Sequence, residues 1–179
     1  MKKKKSNLKI SGIVIRYSIL ILAALFNLWI FYTIFTPLTI YPVYAITKLF
    51  FNVSLLGNAI IINNIIPIEL IRACIAGSAY YLLFIFNMSI PNIKPKKRVE
   101  MILVSFSSLL VLNILRIVSL ILVYMQKNSS FNLLHEIFWY AFGTLFVVGI
   151  WFAEVKIYNI DEIPIYSDIK YLFKKIKKR

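Results

Sequence analysis

The chain holds one cysteine, Cys74, and one histidine, His135. Arg116 is the only charged residue between Glu100 and Lys127. A thiol, an imidazole and a guanidinium are together the parts of acyl transfer through a thioester. The thiolate attacks a carbonyl, the imidazole moves protons, and the guanidinium holds the oxyanion or pairs with the thiolate. Taken singly, each has a plainer use. Unpaired cysteines are usually small core hydrophobes, helix-mouth histidines are usually solvated, and an arginine near a helix end can snorkel to headgroups. Only convergence would turn the three into a site, so the question passes to the elements that carry them.

Composition identifies the solvent of those elements. Of 179 residues, 60% are hydrophobic and 16% aromatic, and 21 basic residues face seven acidic ones. A single small domain cannot bury that much apolar surface, so lipid is the expected surroundings. The net charge of +14 does not indicate nucleic acid, because 17 of the 21 basic residues fall in three blocks that flank apolar runs. That pattern follows the positive-inside rule and would draw anionic headgroups at the inner surface. One cysteine excludes an internal disulfide, and with one histidine it leaves no Cys/His zinc site. Nothing indicates a metal or organic cofactor.

The expected fold is all-α, a polytopic transmembrane helical bundle. Four spans are read near residues 13–35, 74–88, 99–124 and 134–152. Residues 43–57 are read as an interfacial or partly inserted helix. "NAIIINNIIPIEL", residues 58–70, is β-branched but too short and too rich in Asn and Pro to span. Residues 1–12 form a basic cytoplasmic N-terminus and 13–153 the bundle. In the basic tail, 154–179, Ile169, Leu172, Phe173 and Ile176 share a helical face suited to the inner membrane surface. Both termini are then cytoplasmic.

This threading predicts a meeting. Cys74 opens the second span and His135 the fourth, both on the outer side. Arg116 lies about 17 residues into the third, roughly 25 Å above the inner surface at ~1.5 Å per residue. Placing arginine inside a bilayer costs about 2.5–3.5 kcal/mol on insertion scales. Asn113, on the same face, argues for a polar surface turned into the bundle. The helix dipole, with Arg72 and Arg116, is expected to lower the Cys74 pKa. Around the thiol, Ala73, Ala76, Gly77 and Ser78 form either a landing surface for an extended peptide or a helix-packing seam. On the first reading Gly77, Ser78 and Asn113 bind substrate.

"ACIAGSAYYLL" around Cys74, "NILRI" around Arg116 and "HEIFWYAFG" around His135 resemble, in order and approximate spacing, the motifs of the exosortase/archaeosortase membrane cysteine transpeptidases. The likeness covers roughly residues 55–150 and looks closest to a small archaeal branch. It implies a protein-sorting enzyme of the cell membrane, with its active site facing outward. Such an enzyme cleaves a C-terminal signal on exported proteins (a motif, a membrane helix and a basic end) and transfers them to a membrane lipid or another acceptor. It also implies Cys74 as nucleophile, Arg116 as oxyanion or thiolate stabiliser, and His135 as general acid/base. One departure stands out: many members have Cys-Ser-Gly or Cys-Thr-Gly, whereas here Gly77 comes one place later.

Two other readings fit the residues. One is a non-enzymatic membrane protein, such as a carrier, a lipid-binding bundle or an assembly partner. The other is a hydrolytic intramembrane protease pairing Ser78 or Ser108 with the single histidine.

Overall fold

The computed structural model describes residues 2–25, 28–126, 131–140, 144–160, 168–170 and 173. These form helices α1 (Lys2–Leu25) and α2 (Trp29–Thr47), and strands β1 (Val53–Leu56), β2 (Ala59–Ile62) and β3 (Ile66–Glu69). Helices α3 (Arg72–Ile75), α4 (Gly77–Ser89), α5 (Pro95–Met125), α6 (Phe131–Tyr140) and α7 (Phe146–Ile157) follow. The protein is mostly helical, and among the described residues two helices, α2 and α5, are long and apolar enough to cross a membrane.

Helix α5 is the spine. Pro95 starts it at the first helical position, where the missing N–H costs nothing. Its buried residues Met101, Ser105, Leu109, Asn113, Ile117 and Ile121 recur every fourth position, forming the stripe expected of a helix with one inward face. Arg116 joins that stripe and is buried too. The opposite face, including Leu103, Val111 and Leu115, is apolar and exposed, as lipid would favour. Helices α2, α4, α6 and α7 pack on α5. Between α2, α4 and α5 the ring of Phe35 stacks on Tyr80 at 3.5 Å, and Phe106 meets both edge-on.

Several expectations need correction. The fold is not all-α: residues 53–69 form an antiparallel sheet in the order β1-β2-β3. Residues 43–57 are therefore no interfacial helix, since 43–47 finish α2 and 53–56 are β1. The isoleucines of 60–62, 66 and 68 favour a pleated surface, which explains the strands. Gly57 supplies the positive φ of the two-residue turn from β1 to β2, and Asn63 and Asn64 adopt left-handed conformations in the next turn. The buried side chains of Val53, Ile60 and Ile62 join the helical core.

The expected first span, 13–35, is two helices. Leu28 is left-handed at the start of α2, and α2 then runs through Pro37 and Pro42 to Thr47. Prolines are tolerated in apolar helices where neighbours re-satisfy the freed backbone groups. The expected second span divides at Ala76 into one-turn α3 and thirteen-residue α4. Residues 134–152 fall on two helices, α6 and α7. Of the amphipathic tail face, Ile169 and Phe173 are exposed, while Leu172 and Ile176 lie outside the described residues.

The basic end is closely tied. Arg98 donates to the carbonyls of Asn87, Met88 and Ile90 at the C-terminus of α4. Arg16 donates to the Ile90 carbonyl at 2.8 Å and pairs with Asp168 at 2.7 Å. Cations are favoured at a helix C-terminus, whose last carbonyls lack helical partners.

Candidate active site

At the other end of α5, a cavity of about 230 Å³ lies between β3, α3, α5 and α6. Cys74, Arg116 and His135 all line it. Sequence reasoning expected these residues at one depth, and the structure brings them to one cavity.

Cys74 is held by the short helix that follows the sheet. Its N–H donates to the Ile71 carbonyl at 2.8 Å, and its own carbonyl accepts a 2.8 Å bond from Asn113 Nδ2. Asn113 is fully buried. It anchors the cysteine's backbone to α5, so Asn113 serves as a positioning residue for Cys74 and is absent from the cavity wall. The other side of Cys74 is set by Ala76, which is left-handed (φ 60°, ψ 36°) and separates α3 from α4. That conformation costs an L-residue roughly 1–2 kcal/mol, and only glycine adopts it freely. Ala76 stands two places after the cysteine, where the Cys-Ser-Gly pattern has its glycine.

The expectation of a lowered thiol pKa is not met. Cys74 lies outside the two helices that are long and apolar enough to cross a membrane, and burial pushes its pKa up. The positive charge of Arg116 and a backbone hydrogen bond from Ile71 pull it down, but burial outweighs them. Helix α3 is also a single turn, so it brings little dipole. The Arg72 guanidinium lies over the Tyr32 ring, 5.4 Å from the centroid.

His135 is on α6, exposed, with its ring stacked on Phe131 (centroids 5.8 Å apart, planes 5° apart). Phe131 in turn meets Tyr124 edge-on at 5.2 Å, and these two rings line the cavity beside His135. The stack fixes the imidazole plane. Phe131 and His135 are four residues apart, a spacing that makes them neighbours on a helix and could have revealed the pair. The strand wall of the cavity, Pro67 to Leu70, was missed outright. Its signal was the alternation of β-branched residues with Asn and Gly turns.

Gly77 and Ser78 are elsewhere. A Cβ on Gly77 would meet the Tyr32 ring at 2.7 Å, so this glycine admits the ring that Arg72 covers. The small residues form a packing seam at this point. Ser78 is exposed and off the cavity lining. Ser108 is half-buried and donates to the Val104 carbonyl at 2.8 Å. Neither serine lines the cavity with His135. Among the described residues no group of three or more His, Cys, Asp or Glu side chains could hold a metal ion.

No family model, curated protein or solved structure matches the chain.

Proposed function

We propose that the protein is a membrane cysteine transpeptidase of the exosortase/archaeosortase kind. It cleaves a C-terminal sorting signal from exported proteins and passes them to a membrane or surface acceptor. The observation that carries the reading is the lining of one cavity by the chain's only cysteine, its only histidine and the buried arginine of α5. The left-handed Ala76 adds support, since it accounts for a glycine two places after the cysteine in the family pattern.

The chemistry follows from the residues. Burial keeps the thiol protonated at rest, so attack requires a base. His135 takes the thiol proton as Sγ bonds to the substrate carbonyl carbon, and Arg116 stabilises the oxyanion. The intermediate collapses, the peptide C–N bond breaks, and His135 returns the proton to the leaving amine. An acceptor amine, hydroxyl or water then gives its proton to His135 and attacks the thioester, and Sγ leaves to be reprotonated.

The reading also sets a topology: a multi-pass protein of the cell membrane, both termini cytoplasmic and the cavity facing outward. Arg98 and Arg116 are separated along α5 by about 27 Å at ~1.5 Å per residue, close to the ~30 Å hydrocarbon core. The test is processing of an exported reporter that ends in a candidate motif, an apolar helix and basic residues. Processing by the unaltered protein and none by Cys74→Ala is the expected result. Processing that survives Cys74→Ala removes the nucleophile, and a carrier or assembly partner would process nothing.

A further inference from the structure

The strand wall of the cavity carries a second feature that the three reactive residues do not explain. In the order β1-β2-β3, β3 is an edge of the sheet among the described residues. Strand parity fixes which of its groups face out. The Leu70 N–H donates to the Asn58 carbonyl at 3.0 Å, just beyond the paired residues Glu69 and Ala59. In an antiparallel ladder alternate residues turn their backbone groups to the same neighbour. Ile66, Ile68 and Leu70 therefore face β2, and Pro67 and Glu69 face away from it. Both outward residues are exposed.

The outward side is also the cavity side. Pro67, Ile68, Glu69 and Leu70 all line the cavity, together with Cys74. Successive strand residues point to opposite faces, so four consecutive lining residues mean that the cavity meets the strand edge-on. The edge offers three groups there: the Pro67 carbonyl, the Glu69 N–H and the Glu69 carbonyl. Proline has no N–H, and its outward position costs the sheet nothing. It also truncates the edge, which limits strand-to-strand association between copies.

We propose that the substrate binds as an extended strand along this edge of β3, its backbone bonded to Pro67 and Glu69, which carries the scissile carbonyl past Cys74. In either strand direction the three groups are met by two substrate N–H groups and one substrate carbonyl. The cavity is smaller than the roughly 300–1,000 Å³ of pockets that engulf drug-sized ligands, so it takes a short length of chain. Recognition through main-chain bonds, with specificity left to side chains, is a recurring mode of peptide binding. The proposal deepens the transpeptidase reading and rests on it for the identity of the peptide.

The test uses Cys74 labelling in the full-length protein in lipid vesicles and requires no knowledge of the sorting motif. The probes are acetyl-trialanyl vinyl sulfone, its backbone N-methylated counterpart, and methyl vinyl sulfone. In each case the sulfur bonds to the terminal vinyl carbon, the C=C π bond breaks, and the proton goes to the carbon beside the sulfone. The peptide probe should label Cys74 at least tenfold faster than methyl vinyl sulfone, and N-methylation should erase the gain. Glu69→Pro should erase it too, while labelling by methyl vinyl sulfone stays within about twofold of the unaltered protein. Glu69→Ala, which keeps the N–H, should preserve it. A peptide probe with no advantage, or an advantage that survives N-methylation, overturns the proposal. The N-methylated probe needs no variant, so a misfolded Glu69→Pro protein does not spare the idea. A long alkyl vinyl sulfone outpacing the peptide would instead make the cavity a lipid site. Reporter processing is read separately: processing lost in Cys74→Ala without any peptide gain leaves the transpeptidase reading standing and removes only this one.

Discussion

Helix α5 carries an arginine toward each end, and the two are used differently. Arg98 spends its guanidinium on three carbonyls at the end of α4, and nearby Arg16 reaches both the same helix end and Asp168. That end is a clasp joining α1, α4, α5 and the tail at Asp168. Arg116 instead lines a cavity with a thiol and an imidazole, beside a strand edge that still offers backbone groups. The same residue type meets helix-end carbonyls at one end of α5 and borders the candidate site at the other. What surrounds a charge teaches more than the charge itself.

Substituting the two arginines should therefore break different properties. Arg116→Gln should lower reporter processing by on the order of 10²–10³-fold, the usual loss when an oxyanion partner is removed. It should also move the pH midpoint of Cys74 alkylation upward. Arg116 favours the thiolate, so without it burial acts with less opposition and alkylation at a fixed pH slows. A midpoint that falls or stays put would sever Arg116 from the thiol.

Arg98→Ala should do the reverse, costing about 2–4 kcal/mol of stability through the loss of charge-assisted bonds to α4. Thermal unfolding of the purified protein reads this, and the processing rate per folded molecule should hold. If Arg98→Ala unfolds no earlier than the unaltered protein, the clasp has been overvalued.

The smallest effect lies at the turn beside the thiol. Ala76→Gly removes about 1–2 kcal/mol of left-handed strain but loosens the unfolded chain by about 0.4–1 kcal/mol. The unfolding free energy should be unchanged or raised by up to about 1.6 kcal/mol. Ala76→Val, branched at Cβ, should be clearly destabilised. A Gly variant less stable than Val would mean that residue 76 is not left-handed.

The sequence made some of this legible and hid the rest. The apolar run between Glu100 and Lys127 gave the long α5, and counting along it from the basic block put Arg116 level with Cys74 and His135. The sheet was hidden because short β-branched runs between helices satisfy both strand and irregular patterns until their pairing partners are known. Pro37 and Pro42 read as a helix end, yet α2 runs through them, while the break came at Leu28, which has neither Gly nor Pro beside it. Burial of the thiol is a tertiary property, so the dipole argument for a low pKa could not see what opposed it. Gly77 illustrates the same limit: its role depends on Tyr32, some 45 residues away in sequence.

The proposed mechanism requires that Cys74 become acylated in the course of processing. The direct measurement is mass spectrometry of the full-length protein in lipid vesicles, quenched with acid during turnover of the sorting-signal reporter. The reporter's N-terminal fragment should be attached to Cys74 through a bond cleaved by neutral hydroxylamine, with neither adduct nor cleavage in Cys74→Ala. Cleavage of the reporter at an equal rate by Cys74→Ala, with no adduct on the unaltered protein, would contradict it.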